Sequence, residues 1–134
     1  MKTEKFKVID FIRMFIKSIS INLDSFPKQE IELKERIKNN SYDILEIAYE
    51  ANCCEDVELK INLINKMLSK IKVIDFLLDL AVDINVLPNK KYMKLANRLG
   101  DIEKYSAGWK EQIKKNYTMY QEKNNIKIET LSNS

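Results

Sequence analysis

Histidine is absent from this 134-residue chain, and glycine, proline and cysteine occur only twice each. Without histidine there is no serine–histidine or cysteine–histidine nucleophile pair, no usual zinc site, and no imidazole to act as general base near neutral pH. A lysine base or paired carboxylates would remain, so the expectation is a protein that is not an enzyme and holds no cofactor and no metal. The glycines, Gly100 and Gly108, are too few for a phosphate-cradling loop or a dinucleotide-binding turn, and both fall inside one strongly helical segment. A glycine in a helix interior costs about 1 kcal/mol against alanine. The pair therefore points to helix packing too close for a side chain, with Trp109 beside the second. The cysteines are adjacent, Cys53-Cys54, and a bridge between neighbours closes a strained ring. They read as small hydrophobes near a helix end, not as a disulfide or metal pair.

Long apolar runs are also missing. The stretch 76–82 is the longest and is interrupted by Asp79, far too short to span a bilayer. Residues 1–7 scatter both charge signs where a signal peptide needs an apolar core, so a cytoplasmic protein with no membrane partner is expected. Hydrophobic residues make up 45% and charged residues 32%, which is the balance of a soluble fold with one core.

Helical periodicity fills most of the chain. Phe6, Ile9, Ile12, Ile16 and Ile19 recur at spacings of three and four, predicting a helix over 4–22. Asp24-Ser25-Phe26-Pro27 reads as a stop and a new start, since proline is favoured in a first helical turn. The second helix is predicted over 27–52 with Leu33, Ile37, Ile44, Ile47 and Ala48 inward, weakened at Asn39-Asn40-Ser41. After a short acidic loop, a third helix is predicted over 57–85. It carries two apolar rows, one through Leu63, Met67, Ile74, Leu77, Ala81 and Ile84 and one through Ile61, Ile64, Leu68, Ile71 and Leu78. Two rows exceed what one side of a small bundle needs, so this helix is either central or has a face for another subunit. Val86-Leu87-Pro88-Asn89 breaks the pattern before a fourth helix over 89–115, which turns Tyr92, Leu95, Ala96, Leu99, Ile102, Trp109 and Ile113 to the core. The expected architecture is all-α, an antiparallel up-and-down four-helix bundle over residues 1–115 assembled into a ring, followed by a helix extension and a frayed or disordered tail over 116–134.

Net charge is +3, but residues 88–115 hold eight basic against three acidic side chains. Lys91, Lys94 and Arg98 follow one ridge of the fourth helix with Lys90 beside them. Such a ridge neutralises phosphates with little sequence choice. Lys90, Lys91, Lys94 and Arg98 are thus the candidate nucleic-acid contacts, with Arg13 and Lys17, one turn apart on the first helix, as a second set. From charge alone, a solvated helix face is the default reading, and repetition of the ridge around the axis of a ring is what favours a polyanion contact. Asp75, Asp79 and Asp83 line one side of the third helix, as a hydrated acidic face or a dock for a basic neighbour.

Phe26-Pro27-Lys28-Gln29-Glu30 and Arg36-Ile37, Val86-Leu87-Pro88-Asn89-Lys90-Lys91-Tyr92, and the run from Asp101 through Gly108-Trp109-Lys110 together resemble the four-helix-bundle family that includes the accessory variability determinant, Avd, of diversity-generating retroelements. Proteins encoded in 23S ribosomal RNA intervening sequences are related to it. The likeness covers 6–115 and departs from the family at Gly100, Glu103 and Ala107. It implies a homo-oligomer, typically a homopentamer, whose positive surface binds RNA or DNA and which partners a reverse transcriptase. That assembly would assist copying of template RNA into mutagenised cDNA and has no catalytic centre. The intervening-sequence branch implies instead a structural or protein-interaction bundle with no direct nucleic-acid role.

Overall fold

In the computed structural model, which describes the backbone of residues 4–132 and the side-chain surroundings of 7–126, the described chain forms four α-helices and no strand. They are α1 (Glu4–Leu23), α2 (Ile31–Cys53), α3 (Val57–Asp83) and α4 (Asn89–Ser132). Lys72 meets Glu103 while the earlier Asn65 meets the later Lys110, so α3 and α4 run antiparallel. Each helix packs on its sequence neighbour and α4 returns against α1, whereas the diagonal pairs, α1 with α3 and α2 with α4, bring no Cα atoms within 8 Å of each other among the described residues. That is the up-and-down bundle the short links require.

Local chemistry sets the ends. The Asp56 side chain accepts the Leu59 amide at 3.0 Å and caps the start of α3. Asn85 takes the left-handed conformation, with φ 64°, and stops it. The amide of Asn85 then donates to the Val82 carbonyl at 3.0 Å and that of Val86 to the Ala81 carbonyl at 3.0 Å, satisfying carbonyls that a helix end leaves open. Pro27 does not begin α2. It is extended, with ψ 153°, and precedes a single 3-10 turn, Lys28–Glu30, so the helix starts at Ile31. The Asn39-Asn40-Ser41 stretch stays helical, with the Asn40 side-chain amide and Ser41 hydroxyl turned back to donate to the carbonyls of Arg36 and Ile37, 2.9 and 2.7 Å away.

One core runs the length of the bundle, with Ile12, Phe15, Ile37, Ile44, Ile64, Ile71, Ile74, Leu78 and Ile102 sealed from solvent. The Phe11 and Tyr105 rings stack at 5.1 Å between α1 and α4. Both apolar rows of α3 turn mainly inward, although α3 occupies a corner of the bundle and not its centre. What α3 leaves outside is Leu59 near its start and a third set, Val73, Phe76 and Leu80, joined by Ile84. Core burial on α4 ends with Trp109 and the half-buried Ile113, and residues 114–123 are all exposed. The backbone nonetheless stays helical to Ser132. That stretch holds neither proline nor glycine to end it. No helix among the described residues is long and apolar enough to cross a membrane.

Gly100 corrects the reading of close packing. It is exposed, and a Cβ placed there would meet nothing within 4 Å. Gly108 is half-buried, and its neighbour Trp109 is a core residue. Because Gly100 has open space and lies inside α4, Gly100→Ala should stabilise the fold by about 0.5–1 kcal/mol. In urea unfolding this appears as a higher midpoint with an unchanged slope; a lower midpoint would show that something does pack on that face.

Candidate nucleic-acid interface

The basic ridge occupies the first three turns of α4. Pro88 sets the entry, and its carbonyl accepts the amides of Lys91 and Tyr92, each at 3.0 Å. Leu95 and Leu99 turn into the core and hold the helix in rotation. Lys91, Lys94 and Arg98 are thereby carried to one wall of a groove whose opposite wall is Ser18, Ile21 and Asn22 of α1. Asp101 also lines this groove and lowers its positive charge. Lys90 is exposed in the same first turn but lies outside the groove, while Lys91 also borders a hollow at the bundle end with Ser25, Asn85 and Pro88.

None of Lys90, Lys91, Lys94 and Arg98 forms an ion pair or side-chain hydrogen bond with another described residue. Three later cations of α4 are engaged, while Lys115 and Lys123 are not. Lys104 lies 5.6 Å from the centre of the Tyr105 ring, Lys110 donates to the Asn65 side chain at 2.8 Å, and Lys114 approaches Glu111 at 3.8 Å. Lys90 and Lys91 also stand in the first turn, where the helix dipole is already positive and no acidic residue offsets it. Arg13 and Lys17 are exposed on α1 but do not line this groove, so the structure separates the two predicted sets. The α1 wall was not legible beforehand, since Ser18, Ile21 and Asn22 carry no charge signal and reach the ridge only through helix pairing.

The acidic row faces partly inward. Asp75 accepts a hydrogen bond from the Tyr92 hydroxyl at 3.0 Å, tying α3 to the start of α4. Cys53 is exposed and Cys54 half-buried; both thiols are free, and that of Cys54 points at the Asp56 carbonyl 3.5 Å away. No group of three metal-ligating side chains gathers among the described residues.

The chain matches no family model, no curated protein and no solved structure.

Partial burial, the Asp75 hydrogen bond and the charges of Asp75 and Asp79 hold the Tyr92 phenol above the usual tyrosine value of 10.0. A folded-state value that is raised gives stability fully present below the unfolded value and lost as pH rises through the folded one. Stability should therefore fall above about pH 10, a loss that Tyr92→Phe diminishes. Chemical unfolding of both proteins between neutral and alkaline pH measures it, and equal losses in the two would remove Tyr92 from this role.

Proposed function

We propose that this chain is a non-enzymatic, nucleic-acid-binding accessory protein, with the groove between α1 and α4 as its polyanion contact. The supporting observation is that Lys90, Lys91, Lys94 and Arg98 remain unpaired over the first three turns of α4. Lys90 and Lys91, in the first turn, oppose the dipole by roughly 0.3–1 kcal/mol each, a repulsion that phosphates seated against the ridge relieve. Contacts of this kind hold a polymer in place and carry no base reading. The exposed apolar surface of α3 supports self-assembly, which repeats each ridge around an axis and concentrates its field.

The role beside a reverse transcriptase, in a homopentamer of the Avd type, rests on the resemblance carried by the two helix openings and by Gly108-Trp109. Its discriminating observation is genomic. A reverse-transcriptase gene and near-identical repeats beside this gene support the retroelement role, and their absence withdraws it.

Binding to duplex DNA and to structured RNA, measured from about 50 to 200 mM salt, tests the polyanion contact. On duplex DNA, the logarithm of affinity should fall with that of salt by roughly 0.9 per phosphate neutralised, and alanine at all four positions should flatten this slope. Lys104→Ala and Lys110→Ala, already engaged within the chain, should change it little. A flat response in the parent protein, or unchanged affinity in the fourfold variant, rejects the groove as the site.

A further inference from the structure

The last third of α4 outruns the bundle while its inner face stays apolar. Ile113, Tyr117 and Tyr120 follow Trp109 at spacings of four, four and three, so they continue the stripe that Leu99 and Ile102 turn to the core. Lys110 meets Asn65, which sets Val57, the first residue of α3, level with about residue 118 of the antiparallel α4. Phe11 stacks on Tyr105, so Glu4, the start of α1, stands level with about residue 112. No described part of α1 therefore covers Tyr117 or Tyr120, which are 45% and 62% exposed.

This face of α4 is one wall of an open groove of about 900 Å³. The facing wall is the corner between α2 and α3, where Val57 and Ile61 are edged by Glu55, Asp56 and Glu58. Lys60 is the one cation among the lining residues. Asp56 is occupied in capping the Leu59 amide, whereas Glu55 and Glu58 form no ion pair or side-chain hydrogen bond with another described residue. The groove is thus apolar and aromatic at its centre and negative along one edge. It differs from the outer ridge of α3, which has a similar composition, in being walled by two elements.

We propose that this groove seats a basic amphipathic helix of another protein. The apolar face of such a helix covers Ile61, Ile113 and the two tyrosine rings, as a helix in a groove does elsewhere. Its lysines or arginines meet Glu55 and Glu58, and an arginine there also stacks on a tyrosine ring. Nucleic acid is the wrong occupant, since three carboxylates against one ammonium repel phosphate. Tyr117 lies about 35 Å along α4 from Lys94, so the basic ridge and this groove can hold different partners at once. The inference is independent of the nucleic-acid reading.

The probe is a synthetic helix of about 14 residues, the length of α4 beyond the level of Val57, with leucines on one face and lysines and arginines beside them. Its counterpart carries glutamate at every basic position. Titrated against the full chain at low salt, the basic helix should bind and the counterpart should not. Tyr117→Ser with Tyr120→Ser should weaken binding about tenfold. Glu55→Gln with Glu58→Gln should weaken it roughly threefold and reduce its salt dependence, with Asp56 left to cap α3. Asp79→Asn with Asp83→Asn, at exposed positions further along α3, should leave affinity unchanged, as should alanine at the four cations of the basic ridge. Matching circular dichroism shows that each variant is folded. Unchanged affinity in the tyrosine or glutamate variant, a loss in the Asp79 and Asp83 variant, equal binding of the counterpart, or no binding of the basic helix overturns the proposal. A lower mass in solution for either groove variant than for the parent makes the occupant a second copy and overturns it as well.

Discussion

The bundle depends on one interaction, the burial of a continuous aliphatic seam among four helices. Sealing a single isoleucine, leucine or phenylalanine contributes about 1.5–3 kcal/mol, while a whole domain is stable by only about 5–15 kcal/mol. No helix here can rotate its stripe away from Ile12, Ile37, Ile71 or Ile102 and leave the fold intact. Because the seam sets each helix's rotation, it also decides what each helix has left to show. The ridge of α3, the tyrosines of α2 and the lysines at the start of α4 are what remains once the seam is closed.

That ordering separates cations that look alike in composition. Lys104, Lys110 and Lys114 lie where α4 brings them to an aromatic ring, an amide and a carboxylate. Lys90, Lys91, Lys94 and Arg98 lie where α1 supplies Ser18, Ile21 and Asn22, none of which is acidic, with only Asp101 of α4 to offset them. The same helix thus has three of its middle cations engaged and is open at its start. Beside that open end, Tyr92 and Asp75 join α4 to α3 and hold the ridge against the bundle.

Much of the architecture was legible because its signals are local. A period of 3.6 in the apolar residues identified all four helices, and Asp56 and the Val86-Leu87-Pro88 break located two of the links. Pro27 misled, since a proline suited to a first helical turn also suits the extended residue before a 3-10 turn. Asn39-Asn40-Ser41 looked weak by propensity, yet tertiary packing around the buried Ser41 keeps the helix continuous. Gly100 looked like a close approach and is an open position, because composition does not say which side of a helix a neighbour occupies. The tail past Lys115 loses its apolar stripe but not its helix, since losing a packing face removes burial without forbidding backbone hydrogen bonds.

By itself the sequence determined the helical class, the lack of imidazole chemistry, and the segment in which positive charge collects. These are properties of composition and near-neighbour spacing, and no distant contact alters them. Tertiary structure alone decided which lysines stay unpaired, that Arg13 and Lys17 lie apart from the α4 ridge, and that the apolar surplus of α3 is Leu59, Val73, Phe76 and Leu80 with Ile84. The reason is physical: a side chain's exposure and partners depend on helices brought beside it from elsewhere in the chain, and periodicity carries no record of which helix that is.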